Sequence, residues 1–374
     1  MFVRNVSKNK GGVSIVDSVS PDTSLRGHRQ RHTRAGKDGM TKGMRGRLEN
    51  YEMKEGLSRR EFIGGVGVAA IGAVAGMPSV AAAMAARSRL KQKRVLRIAH
   101  LTDIHVQPEG DAPEGMARAF RSAQGLKDKP DIIFTGGDSI MDSMGADKAR
   151  TKAQWEVFQK VLKDECSLPV VHCIGNHDVW GWGVDDESIK KDRLYGKQWA
   201  VEEFGIESRY YSFDKAGWHF IVLDSTYPAD GGYTAKLDEE QFEWLKSELK
   251  ETPKKVPICV LSHISIICFC AFLCGENEKG GDWVVSGAWM HIDARRIKDL
   301  FGEHKNVRLC LSGHMHMEDK VEYLGVKYLC DGAVSGAWWD GNHYEFPPAY
   351  VVVDLYDDGS SKSEYIPYEW KEPS

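Results

Sequence analysis

The stretch Val95-Leu-Arg-Ile-Ala-His-Leu-Thr-Asp103-Ile-His105 is an apolar, β-prone run that ends in two side chains able to ligate a metal. Four further stretches repeat the pattern. Asp131-Ile-Ile-Phe leads into Gly136-Gly-Asp138, Pro169-Val-Val-His-Cys-Ile into Gly175-Asn-His-Asp178, Val256-Pro-Ile-Cys-Val-Leu into His263, and Val307-Arg-Leu-Cys-Leu into Gly313-His314-Met-His316. Each run predicts a strand that delivers its polar block at the carboxyl end, where open α/β sheets place ligands.

The residue types point to a two-metal site. Carboxylate and imidazole together suit borderline divalent ions, so zinc, manganese and iron are the candidates, and the neutral carbonyl of Asn176 completes a shell without adding charge. In Asp103-Ile-His105 and His314-Met-His316 the ligands are two apart, and an extended backbone would turn both to one side. One such block alone is ordinary turn chemistry. Five at strand ends, with complementary ligand types, argue for convergence.

On these blocks the chain resembles the calcineurin-like metallophosphoesterase superfamily, over about residues 95 to 356. The resemblance implies an α/β fold, a two-sheet β-sandwich flanked by α-helices in four layers, α/β/β/α, with two metal ions at one edge. It implies that Asp103, His105 and His316 hold one ion, that Asn176, His263 and His314 hold the other, and that Asp138 bridges them. His177 would then be free of the metals, placed to protonate a leaving alkoxide or to bind the phosphate. The expected nucleophile is hydroxide held by a pair of cations about 3.5–4 Å apart. The bland alternative for His177 is a structural role.

Departures from the family's branches narrow the reading. Purple acid phosphatases carry Tyr three residues after the bridging Asp, and Met141 stands here, which disfavours an iron-tyrosinate centre. Protein Ser/Thr phosphatases read Gly-Asp-x-x-Asp-Arg-Gly, whereas Gly137-Asp138-Ser-Ile-Met-Asp142 lacks the Arg. Asp142 or Asp178 is left to orient His177, or either is a plain turn residue. The segment from Tyr233 to Leu245 is similar to the one before the His263 strand in bacterial cyclic-nucleotide-phosphodiesterase-like members. Their Pro two residues after that His is Ser265 here. Asp238 also suits a helix cap, with Phe242, Leu245 and Leu249 on one apolar face.

The first 86 of the 374 residues differ from the rest. Residues 53–86 read as a twin-arginine signal peptide, with Ser58-Arg-Arg-Glu-Phe before an uncharged Ala- and Gly-rich stretch and Ala-x-Ala-like cleavage sites at Ala81 to Ala85. A retained anchor is the alternative. Residues 1–52 are a basic, aperiodic extension or precede the true start at Met53. The expected partners are therefore the twin-arginine export machinery and a small phosphate ester. The membrane is met only through the signal segment, and the destination is the periplasm or cell envelope.

Residues 87–374 form the expected metallophosphoesterase domain, with 36 basic and 47 acidic side chains. That acidic balance disfavours nucleic-acid polymers. Helices are expected at 152–163, 192–204 and 294–301. Cys173, Cys259 and Cys310 fall in apolar runs. Cys268, Cys270 and Cys274 cluster after His263, where packing or a disulfide is favoured over a third metal site. Trp338 and Trp339 are adjacent, so on a strand one would pack inward and the other could stack on a substrate ring, with Trp180 on the opposite wall. The reading is an exported binuclear-metal phosphoesterase acting on a phosphodiester, with a cyclic nucleotide among the candidates. The alternatives are a phosphomonoesterase and an inactive metal-stabilised binding or envelope scaffold protein.

Overall fold

In the computed structural model, which describes residues 92–229 and 232–370, the strands in chain order are β1 (Arg94–Leu101), β2 (Ile132–Thr135), β3 (Val170–His172), β4 (Tyr211–Lys215), β5 (Trp218–Leu223), β6 (Thr226–Ala229), β7 (Gly232–Ala235), β8 (Ile258–Ser262), β9 (Glu278–Lys279), β10 (Asp282–Trp283), β11 (Val307–Ser312), β12 (Asp319–Tyr323), β13 (Val326–Cys330), β14 (Ala349–Tyr356) and β15 (Ser361–Pro367). The helices are α1 (Ala112–Gly125), α2 (Lys148–Glu165), α3 (Glu187–Lys190), α4 (Gln198–Phe204), α5 (Glu239–Glu251), α6 (Cys270–Leu273) and α7 (Ala294–Glu303). The basic extension and the twin-arginine segment read in the sequence lie outside the described residues.

Side chains along β1 part alternately into two cores, Leu96 and Ile98 into one, Ala99 and Leu101 into the other. That period of two follows from the pleat, and burial of both faces explains the near-continuous apolar runs. Five strands pair in the order β15-β14-β1-β2-β3, with β1, β2 and β3 parallel. Six pair in the order β12-β13-β11-β8-β5-β4, with β5, β8, β11 and β13 parallel. Phe134 and Val351 from the first sheet meet Phe220, Leu261 and Leu309 from the second in a layer between the sheets. Each buried side chain of that size contributes about 1.5–3 kcal/mol.

The outer faces are covered by helices. Met116 and Phe120 of α1 and Trp155 and Phe158 of α2 pack on the first sheet. Phe242 and Leu245 of α5 and Ile297 and Phe301 of α7 pack on the second. The result is the four-layer α/β/β/α order that the family resemblance implies. Asp238 caps α5, its side chain accepting from the Gln241 amide. The helix expected over 192–204 forms only from Gln198. Asp192 accepts from the Leu194 amide, and Gly196 takes a left-handed φ of 70°, so the chain turns before it coils.

A buried charge cluster ties these layers together. Asp224, fully buried after β5, accepts from Lys197 and, at 2.7 Å, from Arg209, which also reaches Asp238 at 2.6 Å. Asp224→Ala leaves the largely buried Lys197 ammonium with the Thr226 carbonyl but no carboxylate, which is expected to cost about 3–5 kcal/mol. A urea denaturation should show this as a lower midpoint at unchanged slope.

Candidate metal centre

Loops after β1, β2, β3, β8 and β11 meet at one end of the two sheets, and they carry all five polar blocks. Hydrogen bonds between the loops set their spacing. The Asp103 amide donates to Gly137 O at 3.0 Å, the His105 amide to Asp138 O at 2.9 Å, and the Gly313 amide to His263 O at 2.9 Å. The ligand-bearing backbone is not extended as the i, i+2 spacing suggested. Asp103, His105, Asp138, His314 and His316 have φ of 55°, 49°, 51°, 71° and 57°, in the left-handed region that non-glycine residues seldom occupy. The two pairs still converge, because each left-handed residue alternates with an ordinary one in a tight zigzag. Such outliers gather where the surroundings over-determine them, commonly at functional sites.

Two clusters result. In the first, His105 Nε2 lies 3.0 Å from His316 Nε2, and His316 Nε2 lies 3.4 Å from Asp103 Oδ1. In the second, His263 Nε2 lies 3.2 Å from both Asp138 Oδ2 and Asn176 Oδ1, and His314 completes a group with Asp138 and His263. The same Asp138 Oδ2 stands 3.6 Å from His105 Nε2, between the two clusters. Ligand atoms about 2.0–2.2 Å from one ion are separated by roughly 3.0–3.5 Å, so these spacings fit metal shells.

The donors are also pre-aimed. Nδ1 of His105 donates to Met141 O, that of His263 to Gly136 O and that of His316 to Gly336 O, which leaves each Nε2 free toward the centre. Both ring nitrogens of His314 are buried without a hydrogen-bond partner. A divalent cation would supply the partner that one of them lacks, so the residues fit the implied group.

Electrostatics agree with cation binding. Burial would push the Asp103 and Asp138 carboxyls up, yet neighbouring imidazoles, His316 for Asp103 and His263 for Asp138, hold both well below the usual carboxylate range. Burial lowers His314, helped by His263, to about 3. Burial also opposes the charged form of His263, but Asp138 and Asp103 outweigh it and raise the ring to about 9.

His177 sits at the rim with a quarter of its side chain exposed. Its Nε2 is 3.9 Å from Asp138 Oδ2, while Nδ1 is 3.3 Å from Asp142 Oδ1. Of the two carboxylates considered for orienting it, Asp142 is the one in position. Asp178 is fully buried and faces elsewhere. Its oxygens accept from the Ser139 and Gly175 amides at 2.8 Å each, clamping the Asp138 loop to the Asn176 loop.

Trp180 does not face the centre. It is 2% exposed, edge-on to Trp199, with Nε1 donating to Ala146 O, so it belongs to the core beneath α4. Trp339 is buried as well, against Gly115, its Nε1 donating to His105 O at 3.0 Å. Trp338 alone of the pair is open, 42% exposed, its ring 4.3 Å from that of His316 and 5.7 Å from that of His105. The two tryptophans occupy a turn, with φ of 53° and 70°, so the inward and outward split does not come from strand alternation. His343, 5.6 Å from Trp338, and Tyr233, 6.1 Å from His314, also border the centre. No spacing signal marked either one.

Close approach makes Gly313 a constraint. A Cβ there would stand 2.2 Å from Asp103 Oδ2 and 2.1 Å from Thr102 Oγ1. Gly313→Ala is therefore expected to displace Asp103 and weaken metal affinity by about 10–100-fold, measurable by titration against a fluorescent chelator. Unchanged affinity would mean that Asp103 has no part in the shell.

The family model for calcineurin-like phosphoesterases matches residues 96–318, the span that carries every loop of this centre except the Trp338 turn. The chain belongs to the calcineurin-like phosphoesterase family. Among its relatives in that family, a 3',5'-cyclic-nucleotide phosphodiesterase of Nostoc sp. is 25% identical over 297 residues, covering 75% of this chain and 96% of the relative. A 3',5'-cyclic adenosine monophosphate phosphodiesterase of Haemophilus influenzae is 21% identical, covering 73% and 90%. The solved structure of a dimetal phosphatase from Danio rerio shares the fold at a TM-score of 0.50 and 14% identity, covering 74% of this chain and 100% of that one. This calcineurin-like phosphoesterase thus has the family's metal-dependent phosphoester hydrolase framework.

Proposed function

We propose that the chain hydrolyses a phosphodiester, with small ring-bearing esters such as cyclic nucleotides as its substrate class, and that it acts outside the cytoplasm after twin-arginine export. The observation that carries the reaction is the single carboxylate oxygen, Asp138 Oδ2, standing within 3.6 Å of a histidine from each cluster. Divalent ions held there would supply polarisation of the phosphoryl oxygens and a more acidic water. Asp103, His105 and His316 would hold one, Asn176, His263 and His314 the other, and Asp138 both.

The chain's own residues supply the rest. His177, oriented through Nδ1 by Asp142, presents Nε2 at the open side of the centre, where it can pass a proton to a departing alkoxide oxygen. The exposed face of Trp338 beside His316 offers a stacking surface for a base or aryl ring. The cyclic-nucleotide activity of the Nostoc and Haemophilus relatives supports the diester reading. The Ser58-Arg-Arg-Glu-Phe motif supports the export reading.

The test is metal-reloaded protein, with manganese, zinc and iron in turn, assayed on cyclic nucleotides, bis-p-nitrophenyl phosphate and p-nitrophenyl phosphate. Diesters should turn over faster than the monoester. A strong monoester preference would replace the reading with a phosphomonoesterase, and no turnover with any ion would leave a metal-stabilised binding protein. Trp338→Ala should raise KM for a cyclic nucleotide by about tenfold, the equivalent of losing a stacked base. KM for a non-aromatic dialkyl phosphate should stay near the parent value.

A further inference from the structure

One side chain that borders the centre has no part in the hydrolytic reading. Tyr233 stands on β7 of the β6–β7 hairpin, opposite Pro228, and that hairpin pairs with neither main sheet. It is nonetheless held on two sides. The Ala235 amide donates to Gly287 O at 2.7 Å, and Ala235 O accepts from the Ile292 amide at 2.9 Å. On the other side a Cβ at Gly232 would stand 3.8 Å from Met144 Sδ, on the loop whose Ser143 amide donates to His177 O at 2.9 Å.

The direction of the ring follows from its neighbour. Thr234 Oγ1 donates to Gly287 O at 3.0 Å, so the Thr234 side chain faces that segment and Tyr233, one residue before it on the ribbon, turns the opposite way. There its ring lies 6.1 Å from that of His314, nearly perpendicular at 81°. Tyr233 therefore stands between the loop of His177 and that of His314. Burial raises the pKa of its phenol, and the carboxylates of Asp138 and Asp103 raise it further, so both ligand carboxylates act on this hydroxyl.

The hydroxyl is also without a partner. Tyr211, Tyr365 and Tyr368, half-buried as Tyr233 is, each donate to a backbone carbonyl at 2.7 Å. Among the described residues none accepts from Tyr233. A sheltered tyrosine hydroxyl usually finds an acceptor, so this one is kept for something the protein does not itself supply. Of the four side chains that border the centre, His177, Trp338, His343 and Tyr233, none is lysine or arginine. A neutral donor there suits the single negative charge of a phosphodiester.

We propose that Tyr233 is a substrate-binding residue whose hydroxyl donates to a non-bridging phosphoryl oxygen of the diester on the His314 side of the centre. The inference rests on the hydrolytic reading and adds to it the donor that holds the phosphoryl group. Trp338, beside His316, and Tyr233, beside His314, then grip the substrate from opposite ends.

The experiment uses the full chain reloaded with manganese, with diethyl phosphate as the probe and calorimetry as the readout. Tyr233→Phe should weaken binding by about tenfold to a hundredfold, the effect of losing one hydrogen bond to a charged group. The kcat/KM for bis-p-nitrophenyl phosphate should fall by a similar factor. Metal content and melting temperature should match the parent, because the hydroxyl touches no described residue. Tyr233→Leu should lose no more affinity than Tyr233→Phe. Full affinity in Tyr233→Phe with a loss only in Tyr233→Leu would overturn the proposal in favour of ring packing. A fall in metal content in Tyr233→Phe would overturn it in favour of a metal ligand. Parent protein that binds the probe but hydrolyses no ester would sink the hydrolytic reading alone, and the difference in affinity between the parent and Tyr233→Phe would still decide the contact.

Discussion

Asp138→Asn is expected to lower phosphodiester turnover by at least about 10³-fold, equivalent to roughly 4 kcal/mol of lost barrier reduction. The amide nearly matches the carboxylate in shape, so the loss comes from charge. Asp138 Oδ2 reaches His105 at 3.6 Å and His263 at 3.2 Å, and no second carboxylate among the described residues serves both ligand groups. Without that anion, two cations would repel each other across a buried space with only Asp103 to offset them. Metal content by mass spectrometry should therefore fall from about two ions per chain to one or none. The amides that the Asp178 clamp holds, Ser139 and Gly175, keep their partners, so circular dichroism should be unchanged. A variant that retains two ions and full turnover would remove Asp138 from its bridging place.

The second large effect separates proton transfer from metal binding. His177→Gln should reduce turnover of an alkyl diester by about 10²–10⁴-fold while both ions stay bound. An ester with a good leaving group, such as p-nitrophenol, needs no proton on departure and should lose much less. His177 also lies in a group with His105 and Asp138, so metal content is the measurement that decides between acid and ligand. Loss of an ion, or an equal loss of rate for both leaving groups, would refute the acid role. Asp142→Asn should fall between His177→Gln and the parent, because the Asp142 carboxylate reaches the centre through His177 Nδ1, its other contact being the Met144 amide at 3.0 Å.

How much of this could be read before folding differs by kind of residue. The strands that carry the ligand loops were legible because double burial imposes long apolar runs, and each run ends in an obligatory polar block. The outer strands β4, β12 and β15 were not, since their exposed faces dilute the pattern. Asp103, His105, Asp138, Asn176, His263, His314 and His316 stood out by chemical type. The conformation that joins them did not, because nothing in Asp-x-His tells a strand from two left-handed residues. Trp338 and Trp339 show the same limit from the other side. Their adjacency foretold one buried and one open ring, but only the turn decided which. Trp180 and Asp178 carried functional expectations by being near Asn176 in sequence, and packing and loop clamping claimed them instead. Cys330 was invisible as a neighbour of Cys268 and Cys270, since packing across sixty residues leaves no local trace.

The five left-handed residues set stability and chemistry against each other at the same positions. Each holds a backbone shape that glycine would adopt freely, at a cost of order 1–3 kcal/mol. A library selected for heat resistance alone should therefore drift toward glycine at 103, 105, 138, 314 and 316, and so discard the ligands one by one. Survivors of such a screen would be sturdier molecules with an empty hearth.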